Sequence, residues 1–179
     1  ARLIRAGRLV VIPTETVYGI AADALLADAV ETLRRAKGRA DDKPLPVMVG
    51  GADELDRIAS FVPRVARLLA AVFWPGPLTL VLPAPAEVSE RIHAGTGGVG
   101  LRAPDNAVAQ AVLKACGVPL VLTSANRSGE PEAVDARMAL AALDGRVDLI
   151  LDAGPSQLGL PSTVLDLTCV PPRILREGA

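Results

Sequence analysis

Short apolar runs bounded by turn residues alternate along this chain with stretches whose apolar positions recur at helical spacing. The runs "RLVVIP", "PLPVMV", "PLTLVLP", "GVGLRAP", "VPLVLTS", "VDLILDAG", "STVLDLT" and "RILREG" have the length and β-branched content of strands. Between them the spacing predicts helices from about Asp28 to Ala36, near Asp53–Ala59 and Pro63–Val72, over "NAVAQAVLKAC", and around Asp135–Leu143. Alternation of this kind, with continuous apolar strand cores, predicts an α/β fold in which helices cover a sheet. At 179 residues the chain fits one domain, 1–179, without repeats or linkers.

Composition narrows the function classes. Basic and acidic residues nearly cancel, 19 against 20, and aromatics make up only 2%, so a generic nucleic-acid binder is disfavoured and any RNA contact would be local. The longest apolar runs are strand-sized, which leaves no membrane span or signal peptide and makes a cytoplasmic setting the expectation. Cys116 and Cys169 lie far apart and His93 is the sole histidine, so no transition-metal site is expected.

The candidate chemistry lies in loops after the strands. In "KGRADDK", Lys37, Arg39 and Lys43 surround Gly38, and the stretch reads either as a helix stop with dipole-complementing cations or as a phosphate grip. Asp41 and Asp42 could pair with the same cations. Two of the chain's three lysines fall in this one stretch, against sixteen arginines overall, which favours a purpose for a compact ammonium there. "IPTETVYG" offers Thr14, Thr16, Glu15 and Tyr18 either to a small polar substrate or to local backbone satisfaction. "LTSANRSGEP" places Ser124 and Asn126 in a tight loop that suits an anion nest; it is not a nucleophile elbow, and one histidine gives little scope for a Ser-His-Asp device. Arg102, Ser162 and Arg176 each lie near a strand end, where an arginine clamps an anion or forms a surface ion pair.

In chain order, "IPTETVYGIAAD", "KGRADDKPL", "FWPGPLTLVL", "GLRAPD", "TSANRSGEP", "GLPSTVLDL" and "ILREGA" resemble the YrdC/Sua5 family of threonylcarbamoyl-AMP synthases over nearly the whole chain. The family is marked by a Lys-x-Arg pair and a later Ser-x-Asn pair, matched here by Lys37, Arg39, Ser124 and Asn126. The resemblance implies a twisted mixed sheet flanked by helices around a deep, positively lined concave cleft. It implies a nucleotidyltransferase that joins L-threonine, bicarbonate or carbon dioxide, and ATP into threonylcarbamoyl-AMP and pyrophosphate. The product would pass to a tRNA threonylcarbamoyl transferase complex for modification of an adenosine beside the anticodon.

Carried over residue by residue, the resemblance assigns L-threonine to Thr16, Arg102, Ser162 and the backbone at Leu122. It assigns ATP to Arg39, Lys43, Ser124, Arg176 and the loop near Glu132, with Lys37, Arg39, Ser124 and Asn126 as the catalytic set. Magnesium would travel on the nucleotide, not in a protein metal site. Two positions depart from the pattern: Met48 stands where longer relatives often carry a histidine, and Gly98 where a threonine hydroxyl is common. The length resembles the family's short, single-domain form. Alternative readings are a non-catalytic tRNA- or double-stranded-RNA-binding protein of the same fold, or a carbamoyl-adenylate-forming paralogue.

Overall fold

Strand β1 (Val10–Ile12) is buried along its whole length because both faces of its sheet are covered. Val11 joins one apolar cluster while Val10 and Ile12 join another, the alternation that a pleated strand imposes. The computed structural model describes residues 1–179. After α1 (Arg2–Arg5) and β1 come β2 (Gly19–Asp23), α2 (Ala27–Lys37), β3 (Val47–Met48), a short 3-10 turn (Ala52–Glu54) and α3 (Leu55–Ile58). Then follow α4 (Arg64–Phe73), β4 (Leu78–Pro83), α5 (Glu90–His93), β5 (Gly98–Arg102), α6 (Ala107–Cys116) and β6 (Leu120–Ser124). The chain finishes with α7 (Ala136–Leu143), β7 (Leu149–Ile150), β8 (Thr163–Asp166) and β9 (Arg173–Arg176).

All nine strands join one mixed sheet in the order β7-β1-β2-β6-β3-β5-β4-β8-β9. The pairs β1–β7, β3–β5 and β4–β8 are parallel and the rest antiparallel. The larger apolar cluster lies under α2, α3, α4 and α7, whereas the smaller one is covered by Ile4 of α1 and by Ala109, Val112, Leu113 and Cys116 of α6. No helix is long and apolar enough to cross a membrane.

The α/β class and the helices at 28–36, 63–72, 107–116 and 135–143 follow the sequence pattern, with small shifts at the ends. The central strand β2 and the short helices α1 and α5 were not anticipated from periodicity. "GIAAD" has little β propensity of its own, and it becomes a strand because it lies between β1 and β6 with every residue buried. Gly19 is required by that pairing: a Cβ there would overlap the Leu122 side chain across the ladder. "PLPVMV" pairs only at Val47 and Met48, since Pro44 and Pro46 have no N–H to give, although the Pro46 carbonyl still accepts from Leu122 N at 3.0 Å.

Helix α2 ends in a way that aims the next residues. Gly38 takes the left-handed conformation (φ 63°, ψ 38°). Its N–H reaches Arg35 O at 3.1 Å and the Arg39 N–H reaches Arg34 O at 2.9 Å, the paired bonds of a Schellman stop. Beneath the turn, Arg34 is buried and its guanidinium binds the carbonyls of Arg91, Ala40 and Lys43. The loop that carries Arg39 and Lys43 is thereby held from below.

Candidate active site

The strand ends and loops surround one open cleft of about 510 Å³. Every residue that the family resemblance assigns to the site lines it: Thr16, Lys37, Arg39, Lys43, Arg102, Leu122, Ser124, Asn126, Glu132, Ser162 and Arg176; of the polar "IPTETVYG" residues, Glu15 and Tyr18 do not. Met48 and Leu122, drawn from the smaller core cluster, supply apolar floor. His93 and Tyr18 are elsewhere. The Tyr18 ring is fully buried, and its hydroxyl donates to Gly154 O at 2.6 Å, which makes it a core residue.

Charge in the cleft is lopsided. Lys37, Arg39, Lys43, Arg102 and Arg176 line it against Glu130 and Glu132. Neither Asp41 nor Asp42 makes a salt bridge with the "KGRADDK" cations, although the Asp42 charge lies near enough to Arg39 to favour its charged form. Burial pulls the guanidiniums of Arg39, Arg102 and Arg176 below their ordinary proton affinity, and for Arg39 the nearby Arg34 and Arg176 charges push the same way. A cleft wall with this excess of partly desolvated cations can accommodate a polyanion.

Lys37 contributes to this wall in a different manner from its neighbours. The residue is 3% exposed, and its ammonium donates to Ser124 O (2.6 Å), Ser124 Oγ (3.1 Å), Asn126 O (3.0 Å) and Asn126 Oδ1 (2.7 Å). The backbone adds a further tie, Ser128 N to Lys37 O at 2.9 Å, and Asn126 Nδ2 reaches on to Glu130 O at 2.6 Å. The Lys-x-Arg and Ser-x-Asn segments are thus one clasp. Burial, and then the Arg39 charge, lower the Lys37 ammonium to about 8. Arg39, by contrast, spends only Nε and Nη2, on the carbonyls of Lys43 (3.3 Å) and Pro44 (2.7 Å), and keeps Nη1 for a ligand.

On the opposite side, Arg176 donates from Nε and Nη2 to Ser162 O (3.0 and 2.8 Å) and from Nη2 to Ser162 Oγ (3.1 Å). Ser162 Oγ also bonds the buried Thr79 Oγ1 at 2.8 Å. In the first loop Thr14 Oγ1 donates to Val17 O at 2.6 Å, so the Thr14–Thr16 contact at 2.8 Å is donated by Thr16. Thr14 thus satisfies local backbone groups, whereas the Thr16 hydroxyl bonds only the Thr14 side chain, and both residues line the cleft.

Arg102 is no surface ion pair. It is buried against buried Glu15, Nη2 to Oε1 at 2.7 Å, with Nε on Gly76 O at 3.1 Å. Sequence reasoning passes over Thr79 and gives Glu15 only a shared place in the polar "IPTETVYG" loop, without pairing it to Arg102; a polar residue opening an apolar strand was the available signal for Thr79.

A side pocket of about 390 Å³ shares Arg39, Pro46, Thr79 and Arg176 with the main cleft and runs on past Gly98 and Gly100. Gly98 has a packing reason: a Cβ there would come within 2.8 Å of Val81 Cγ1, and the residue leaves the pocket wall bare backbone. Met48 presents a thioether with no N–H or carboxylate to a ligand.

Comparison with known proteins fits this geometry. The Sua5/YciO/YrdC family, described as telomere recombination, matches residues 2–178. A threonylcarbamoyl-AMP synthase of Pyrococcus abyssi is 41% identical over 178 residues, and one of Bacillus subtilis is 41% identical over 179; each match covers 99% of this chain and 52% of the relative, so the chain spans about half the length of these relatives. The crystal structure of P. abyssi Sua5 complexed with L-threonine superposes with a TM-score of 0.97 at 41% identity, over 99% of this chain and 52% of that one. With a whole-chain match, near-identical topology and both signature pairs facing one cleft, the chain belongs to the Sua5/YciO/YrdC family.

Proposed function

We propose that the protein is a threonylcarbamoyl-AMP synthase, making the adenylate from L-threonine, bicarbonate or carbon dioxide, and ATP, with release of pyrophosphate. The observation that carries this reading is the meeting of two unlike subsites in one cleft. Arg39 and Arg176 present unspent cationic donors where the side pocket meets the cleft and Lys43 adds its charge to the cleft wall, while Arg102, Ser162 and Thr79 form a small, buried polar corner suited to an amino acid. The names of the relatives and the threonine-bound structure support the same assignment.

The chemistry asks for positioning more than for a nucleophile. The threonine ammonium gives one proton to solvent, the free amine forms an N–C bond to carbon dioxide as one C–O π bond opens, and a second N–H proton passes to solvent to leave the carbamate. A carbamate oxygen then attacks the α-phosphorus in line, and the bond to the β-phosphate oxygen breaks as pyrophosphate departs. Arg39, Lys43 and Arg176 offset the charge that develops on the phosphates. The Lys37 clasp fixes Ser124 and Asn126, so that the loop's polar groups stay aimed without reorganising during the reaction. A cleft wall with only Glu130 and Glu132 as carboxylates does not make a protein cage for magnesium, so magnesium enters as the counter-ion of ATP. The adenylate then passes to a transferase that modifies tRNA.

The test supplies ATP, magnesium, bicarbonate and L-threonine and follows pyrophosphate together with the mass of the adenylate. Formation of threonylcarbamoyl-AMP that depends on both threonine and bicarbonate is the expected result. Absence of the product, or equal product without bicarbonate, overturns the reading.

A further inference from the structure

We propose that Glu15 is a positioning residue that aims Arg102 at the carboxylate of the amino-acid substrate, an inference that rests on the function proposed above. Arg102 lines the cleft, whereas Glu15 does not; it stands behind the guanidinium. Their side chains are 5% and 4% exposed, so the pair is screened from water and its orientation is set by protein contacts alone.

The hydrogen-bond accounting assigns the two edges of the guanidinium to different tasks. Nε donates to Gly76 O at 3.1 Å and Nη2 to Glu15 Oε1 at 2.7 Å, which occupies the Nε–Nη2 edge with the fold's own oxygens. Nη1 has no protein partner, so the other fork, Nη1 with the second N–H of Nη2, is kept for a ligand, and a planar carboxylate fits such a fork bidentately. Without Glu15 only the Gly76 carbonyl would hold the group, and rotation about the Nε bond would take the fork off target.

Glu15 is also poorly placed for stability alone. Its Oε2 is buried with no hydrogen-bond partner at all. A buried carboxylate serving packing or an ion pair would engage both oxygens, since an orphaned buried acceptor is costly. Glu15 accepts that cost to make a single-point contact, leaving the outer fork of Arg102 free.

The experiment compares Glu15→Gln, Glu15→Asp and Glu15→Ala with the wild type, measuring KM for L-threonine, KM for ATP and kcat, alongside thermal unfolding. Glutamine keeps an acceptor of the right reach, so its threonine KM stays within about threefold of wild type; aspartate is one methylene too short and alanine has no acceptor, so both raise it by about tenfold or more with ATP KM unchanged. A purely structural role predicts instead a lower melting temperature with unaltered KM values in the folded fraction. If all three variants keep the wild-type threonine KM, or if threonine and ATP constants rise together, the proposal is overturned. Should alanine fail to fold, the aspartate–glutamine contrast decides. A wild type that makes no adenylate with threonine overturns the functional reading itself, and a wild type that does so with unshifted variants overturns the role of Glu15 alone.

Discussion

The ammonium of Lys37 meets the Asn126 side-chain carbonyl at 2.7 Å, a contact that ties the end of helix α2 to the loop after strand β6. Because the same ammonium also binds two main-chain carbonyls, Lys37 maintains the shape of the cleft wall. Lys37→Ala would leave those buried oxygens without a donor, at a cost of about 1–3 kcal/mol, so turnover and thermal stability should fall together. Calorimetric unfolding beside a pyrophosphate assay checks this, and a variant that loses activity at unchanged stability would return Lys37 to direct phosphate contact.

Arg39 and Lys43 should behave oppositely. Arg39 touches only two carbonyls of its own loop and Lys43 is exposed, so alanine at either position should change stability by less than about 1 kcal/mol. The expected loss is in nucleotide use: kcat/KM for ATP falls by about 10²-fold for Arg39→Ala, the scale of removing one electrostatic donor. Unaltered ATP kinetics in Arg39→Ala would remove it from the phosphate wall.

The lowered Lys37 ammonium gives a pH signature with a definite sign. Its pKa is about 8 in the folded protein against an ordinary 10.5. Between those values the unfolded chain holds a proton that the folded one has released, so this residue adds stability as pH rises through that window and nothing below it. Activity moves the other way, since an uncharged amine loosens the clasp: kcat/KM should decline above a pKa of about 8. Profiles of kcat/KM and of melting temperature from pH 6.5 to 10, on the order of half a unit apart, would diverge above that point. A common decline in both would exclude Lys37 as the titrating group.

Gly19 and Leu122 are coupled by close approach. Gly19→Ala should destabilise by about 1–3 kcal/mol through overpacking against the leucine, and the double variant with Leu122→Ala should recover part of that loss. A double-mutant cycle in urea measures the coupling; additive effects would show that the two side chains do not meet.

Much of the architecture is legible from apolar spacing, and the site from loop composition read in combination. "KGRADDK" by itself does not choose between a helix stop and an anion grip; in the structure Gly38 makes the stop, and the same turn places Arg39 and Lys43 on the cleft wall. What local pattern could not supply were relationships across the sheet. Strand β2 exists because β1 and β6 flank it, the Lys37 clasp depends on residues nearly ninety positions away, and Arg102 reads as a surface cation until Glu15 is seen behind it. Such long-range pairings are invisible to periodicity, which reports only what neighbours along the chain share.

The lacing of Arg176 onto Ser162 has a consequence for how the protein becomes active. Strand β8 pairs with β4, Leu78 beside Thr163, and β9 closes over β8 at the sheet's far edge, so this hairpin docks only after long loops have been closed. Gly178 and Ala179 then bond Thr163 Oγ1 and Pro161 O, fastening the segment beside the cleft. Any partly folded chain with an undocked β8–β9 hairpin lacks Ser162 and Arg176 in place, however complete its remaining sheet. In a refolding experiment the proposed adenylate synthesis should therefore return no earlier than this hairpin docks, an event that hydrogen-exchange protection of the Thr163–Asp166 amides reports; activity regained before that protection would show that Ser162 and Arg176 are not needed in place.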